Sequence, residues 1–139
     1  MTIDGINVRN NVVESGAGGG IASGSSFTLS SCNVYSNTAT NGGGVYLQNG
    51  SHTLSMTGTA EISGNTATNS GGGVFVSSDA TLSISSSAYI KNNTCSVSTS
   101  AGGVTWLGTV SGTKTHICGN TSFDYTDKST STKVTQACP

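Results

Sequence analysis

The sequence predicts an all-β protein, a parallel β-helix (β-solenoid) in which the chain winds in stacked coils, and three observations point there. An asparagine follows a β-branched aliphatic by three residues at Asn11, Asn37, Asn65, Asn93 and Asn120, in steps of 26, 28, 28 and 27 residues. A glycine cluster followed by an aliphatic keeps the same time in Gly18 to Ile21, Gly42 to Val45, Gly71 to Val74 and, with one glycine fewer, Gly102 to Val104. Between these markers the apolar residues alternate with polar ones, the period of a strand with one buried face. A repeat of this length is too long for a hairpin meander and suits one turn of a solenoid.

The coil running from Gly71 to Asn93 shows the elements in order. Val74-Phe75-Val76 alternates in, out, in, and Ser77 to Ala80 reads as a polar turn. Thr81 to Ile84 alternates again with Leu82 and Ile84 on one side, Ser85 to Ser87 form a corner, and Tyr89-Ile90-Lys91 is a third short strand ending at Asn93. The neighbouring coils supply Ile21, Phe27, Leu29 and Val34, then Val45, Leu47, Leu54, Met56 and Ile62, then Val104 and Ile117, at matching places. The expectation is about five coils of three short strands each, with a narrow aliphatic core along the axis and Trp106 covering it near one end. The residues between each asparagine and the next glycine cluster vary in number and read as loops. Residues 1–122 form the β-helix in this reading, and 123–139 form a non-repeat tail, a cap or an assembly strand.

The asparagine column, Asn11, Asn37, Asn65, Asn93 and Asn120, is expected to stack at a sharp corner, each amide bonding the next along the axis. The glycines supply positive φ and close backbone approach where each loop re-enters the sheet.

Composition narrows the function classes. Charged residues are 8 % of the chain and the net charge is −1, which leaves no basic footprint for nucleic acid. No apolar run reaches the length of a membrane span, so membrane insertion is not expected, and the first 25 residues lack the pattern of a signal peptide. Four cysteines without metal-ligand spacing read as structural and indicate an extracellular or cell-surface setting. Cys95 with Cys118, Cys118 with Cys138, and Cys95 with Cys138 are competing pairings. Cys32, two coils from Cys95 and so about 10 Å away, is out of disulfide reach.

The glycine and asparagine motifs, best seen in Gly42 to Val45 with Ile62 to Asn65 and in Gly71 to Val74 with Ile90 to Asn93, resemble the right-handed parallel β-helix repeats of the polymorphic outer-membrane-protein (Pmp) type and related bacterial and archaeal surface proteins. The opening Thr2 to Val8 is also similar to strand pairs in such proteins, and the resemblance covers roughly residues 2 to 122. It departs in one respect, because Val or Ile stands where the family's motif begins with phenylalanine. The resemblance implies a right-handed coil and a surface role such as an adhesin, stalk or envelope layer.

Catalysis is not expected, nor is a cofactor or a metal. Asp4, Glu14, Glu61, Asp79, Asp124 and Asp127 fall at different places in the repeat, with the last two in a polar tail, whereas acid-base chemistry on a polysaccharide needs converging carboxylates. His52 and His116 do not stack and read as solvated strand residues; Cys118 beside His116 has no third residue to orient the pair. A threonine rank after the asparagines, Thr38, Thr66, Thr94 and Thr121 with Thr40 and Thr68 two places on, is a candidate ice-binding face. Asn49 and Asn92 begin glycosylation triplets, and Asn120 begins a third within the ladder.

An uncapped solenoid end exposes strand edges and core, and the chain opens within a strand pair, Ile3 to Val8, which points either to one copy stacking on the next or to a segment of a longer adhesin. The sequence reading is therefore a non-enzymatic extracellular structural or adhesive solenoid that associates with itself end to end into a filament or surface layer, with glycans or cell-surface receptors as further partners. The alternatives are an ice-binding protein and, third, a polysaccharide-active enzyme.

Overall fold

In the computed structural model, which describes residues 1–139, the chain winds through about 4 turns of a β-solenoid with parallel strands. Five rungs stack in its first sheet, Thr2–Asp4, Phe27–Ser30, Thr53–Thr57, Thr81–Ile84 and Thr109–Gly112. Five rungs enclose four complete windings, which is why the count falls one short of the expected five coils.

The three middle coils carry four short strands each rather than three, and the first and last windings carry three. The second sheet comprises Asn7–Arg9, Asn33–Tyr35, Glu61–Ser63, Tyr89–Lys91 and Ile117–Cys118. The third comprises Thr38–Asn41, Thr66–Ser70 and Thr94–Cys95, and lies in the stretch that the sequence presents as loop. Its inward residues are Ala39, Ala67 and Cys95, too small to signal a strand by hydrophobicity, yet their alternation with Thr38, Thr66 and Thr94 keeps them in register. The fourth sheet stacks Ile21–Ser23, Val45–Leu47, Val74–Val76, Val104–Trp106 and Tyr125–Asp127, with Thr132–Val134 on its outer edge.

Register, not composition, builds the core. Val45, Val74 and Val104 lie directly over one another, as do Leu47, Val76 and Trp106. Leu54, Leu82 and Val110 make a second column and Ile62, Ile90 and Ile117 a third. All of these side chains are buried. No coil could hide these side chains alone, so stability rests on contacts between neighbouring windings. Trp106 is buried and stacks on Tyr125 with ring centroids 4.9 Å apart, closing the core at the C-terminal end.

Two kinds of backbone corner make the turns. The residue before each ladder asparagine adopts a left-handed conformation, with φ of 59° at Asn10, 55° at Ser36, 60° at Gly64, 56° at Asn92 and 64° at Gly119. This kink swings the following asparagine inward, and glycine or asparagine tolerates it with least strain. At the other corner a Cβ on Gly43 or Gly72 would meet the carbonyl oxygen of Thr66 or Thr94, so only a glycine lets adjacent coils approach.

The two ends differ. At the C-terminal end Tyr125–Asp127 adds a parallel rung to Val104–Trp106, and Thr132–Val134 then runs antiparallel along it. The same tail crosses the second sheet, where Gly119 N–H donates to Gln136 O at 3.3 Å and Cys118 is bonded to Cys138. At the N-terminal end Thr2–Asp4, Asn7–Arg9 and Ile21–Ser23 each pair on one side only. Ile3, Val8 and Ile21 are only partly buried there, and Met1, Ile6 and Val12 are 83 %, 47 % and 68 % exposed.

Candidate functional site

The asparagine column forms a continuous, directional hydrogen-bond ladder. The backbone N–H and the Nδ2 of Asn11 both donate to Oδ1 of Asn37, at 3.1 and 2.9 Å. Asn37 repeats this on Asn65 at 3.0 and 3.0 Å, Asn65 on Asn93 at 2.9 and 3.0 Å, and Asn93 on Asn120 at 2.9 and 3.0 Å. The second Nδ2 proton crosses to the coil on the other side, to Val8 O from Asn37, Val34 O from Asn65, Ile62 O from Asn93 and Ile90 O from Asn120. Asn37, Asn65 and Asn93 are fully buried. A buried amide is tolerable only when partnered in this way.

Every rung donates toward the C-terminus, so the last one needs an acceptor with no N–H of its own. Asp124 supplies it. Its Oδ1 accepts the Asn120 backbone N–H at 2.7 Å and Nδ2 at 3.0 Å, while its Oδ2 accepts the Gln136 N–H. Asp124 is therefore a buried member of the ladder and not a solvated tail residue. Sequence periodicity misses it because it follows Asn120 by four residues instead of a coil length; a carboxylate at the point where the asparagine clock stops was the available signal. Gln136 fastens the tail further, its Nε2 donating to Lys114 O at 2.6 Å and Ile117 O at 2.7 Å.

The threonine rank is continuous in one column and broken in the next. Thr38, Thr66 and Thr94 align as half-buried neighbours in the third sheet. Two places on, the register shifts between Ala67 and Ser70, and Ser70 faces Asn41. Thr40 and Thr68 therefore do not continue a plane, because the extra residues of the longer coil bulge out there.

A more regular hydroxyl array covers the first sheet. Thr53, Thr81 and Thr109 form one column; Thr2, Thr28, Ser55, Ser83 and Ser111 form the next. Both alternate with inward-facing Phe27, Leu29, Leu54, Met56, Leu82 and Ile84. No register shift interrupts either column, and no charged residue belongs to them.

The titratable groups are dispersed into local contacts. Glu61 pairs with Lys91 at 2.9 Å on the second sheet. His116 lies buried in a 3-10 turn, Lys114–His116, where its ring stacks on Tyr89 at 4.1 Å and its Nδ1 lies 3.0 Å from Ala88 O. This corrects its reading as a solvated strand residue; the ring is covered because the turn folds it back over the sheet. Asp127 accepts hydrogen bonds from Ser129, which hold its carboxyl below the usual range. No three His, Cys, Asp or Glu side chains come together.

Cys118 bonds Cys138, whereas Cys95 and Cys32 are buried free thiols. Cys95 thus drops out of the candidate pairings. Cys118 aligns with Lys91 in the second sheet and Cys95 with Ala67 in the third, so the two cysteines lie on opposite sides of the asparagine corner. Burial pushes the Cys95 thiol pKa up. Of the glycosylation candidates, Asn49 is exposed beside a turn and Asn92 is exposed at the left-handed corner, while Asn120 is buried in the ladder. No helix is long and apolar enough to cross a membrane.

No family model matches the sequence, and no curated protein and no solved structure matches it either.

Proposed function

We propose that this chain is a non-enzymatic structural and adhesive solenoid of the outer surface, of the Pmp-like adhesin kind, that joins a second copy of itself through its N-terminal end. The observation carrying this reading is the row of strand edges at Thr2–Asp4, Asn7–Arg9 and Ile21–Ser23, each paired on one side only. Unpaired strand edges invite pairing with another chain, and here three parallel sheets end in such edges around a half-covered core of Ile3, Val8 and Ile21. The other end is occupied by its own tail, held by the Cys118–Cys138 bond, the Asp124 carboxylate and an antiparallel strand. Pairing of these edges with the same edges of a second copy makes a closed two-fold pair, in which the same patch meets itself and the edges run antiparallel.

An extracellular setting is supported by the disulfide. The adhesive partners in this reading are cell-surface receptors or glycans.

Sedimentation equilibrium over a wide concentration range tests the pairing. The expected result is a monomer–dimer equilibrium that Ile6→Lys and Val12→Lys abolish, since both side chains lie exposed at the open end and a charge there blocks edge pairing. A monomer at all concentrations, or a dimer indifferent to both substitutions, overturns the reading.

A further inference from the structure

We infer that the outer face of the first sheet is an ice-binding plane, a role that goes beyond end-to-end pairing because it uses the flank of the solenoid and not its end. The face consists of the columns Thr53, Thr81 and Thr109 and Thr28, Ser55, Ser83 and Ser111. Adjacent rungs repeat at about 4.8 Å and alternate residues along a strand at roughly 6.6 Å, so the hydroxyls form a two-dimensional lattice.

Several properties of this lattice fit ordered water better than any other partner. It is neutral: Glu61 and Lys91 lie on the second sheet, and Asp4, at the edge of the first, lies outside both columns. Charged groups hold their own hydration shells and would disturb a crystalline water layer; hydroxyls donate and accept without imposing a field. Its hydrogen-bonding capacity is largely unused within the protein. Ser111 Oγ reaches back to Leu82 O at 3.5 Å, and the rest of the face stands partly exposed to solvent. Threonine adds a methyl and a stiff χ1, so the hydroxyls are held in place before the ligand arrives. Register keeps the columns continuous, because Leu54, Met56, Leu82 and Ile84 anchor the same strands from beneath, and the one hollow on this face, lined by Met1, Thr2, Ser26, Thr28, Thr53 and Ser55, lies at its N-terminal end.

A crystalline polysaccharide would be the rival occupant. Its sugar rings are gripped by aromatic faces, and this chain carries its stacked Tyr46 and Phe75 on the fourth sheet and Tyr89 on the second. The first sheet offers no aromatic outward. The third sheet, with its threonine column of Thr38, Thr66 and Thr94, is interrupted by the shift after Ala67 and serves as an internal control.

The test measures partitioning of the purified chain into a slowly growing ice hemisphere, together with the gap between melting and freezing temperatures. The expected result is uptake into ice and a measurable gap, both lost in Thr81→Tyr and in Ser55→Tyr and both retained in Thr66→Tyr. Circular dichroism and thermal melts establish that each variant is folded; a milder Ser83→Val, which removes a hydroxyl without protruding, is expected to reduce the gap and gives a second readout should the tyrosines unfold the coil. Exclusion of the unmodified chain from ice overturns the inference, as does equal loss in Thr66→Tyr and Thr81→Tyr, or retention on crystalline cellulose without uptake into ice. Ile6→Lys is expected to keep ice uptake even where it abolishes pairing, so failure of one reading is distinguishable from failure of the other.

Discussion

Asp124 accepts both the backbone N–H of Asn120 at 2.7 Å and its Nδ2 at 3.0 Å, so a carboxylate terminates a column that asparagine builds everywhere else. The chemistry requires the change of residue. Each asparagine both receives and donates, whereas the last position must receive two donors from Asn120 and a third from Gln136. Asp124→Asn presents an N–H₂ group to the Gln136 N–H and leaves donors facing each other. The expected cost is about 1–3 kcal/mol, the penalty of an unsatisfied buried group, with the C-terminal tail loosening first. Urea unfolding and amide exchange of residues 124–136 check this; an unchanged midpoint and unchanged exchange speak against the carboxylate's role.

Substitution within the ladder is expected to grade with burial. Asn65→Asp sets a carboxylate against the Asn93 Oδ1 that now receives the Asn65 amide, in a fully buried site. It should destabilise the fold by several kcal/mol, on the order of the cost of burying an unpaired charge. Asn11→Asp makes the same change at an exposed position and should cost much less. Equal losses in chemical denaturation would sink the ordering.

Glycine at the crowded corner is expected to be irreplaceable, and glycine at the asparagine corner replaceable at modest cost. A Cβ on Gly43 or Gly72 meets backbone of the next coil, while one on Gly64 meets nothing within 4 Å. Gly64→Ala then carries only the left-handed strain of φ 60°, about 1–2 kcal/mol. Gly43→Ala forces coils apart and should prevent a cooperative melt. Calorimetry of the two variants gives the comparison, and a milder effect at Gly43 would contradict the contact.

The disulfide is expected to act on the tail rather than on the coils. Cys118 and Cys138 are separated by 20 residues, and closing a loop of that size contributes about 3 kcal/mol by restricting the unfolded chain. Cys138→Ser should lower stability by roughly that amount while leaving the strand content unchanged. Peptide mapping under non-reducing conditions should link Cys118 to Cys138, and a Cys95-linked peptide would refute the assignment. Alkylation at mildly alkaline pH should label Cys95 slowly until the chain unfolds, because its raised pKa and burial keep the thiol protonated and covered.

The sequence carries the parts of this fold that repeat at one coil length. Asn37, Asn65 and Asn93 and the glycines at 42–44 and 71–73 recur at nearly one coil length, so the stacking, the core columns and the inward asparagines are legible in the sequence. The third sheet is hidden because Ala39, Ala67 and Cys95 contribute too little apolar surface to mark a strand and because the segments differ in length. Asp124 and His116 are hidden for another reason: each is buried by the chain folding back, the tail over one and the Lys114–His116 turn around the other, and neither event has a period. The hydroxyl lattice of the first sheet escapes notice because serine and threonine are abundant throughout, and only the pairing of Thr53 with Thr81 and Ser55 with Ser83 selects the few that share a plane.

The most direct test is hydrogen exchange of the asparagine side-chain amides, followed by NMR in the intact chain. The Nδ2 protons of Asn37, Asn65 and Asn93, each bonded within the ladder and shielded from water, should exchange far more slowly than those of Asn49, which lies exposed beside a turn. Exchange of all of these amides at one common, fast rate would mean that the asparagines do not stack, and the solenoid built on them would fall with that result.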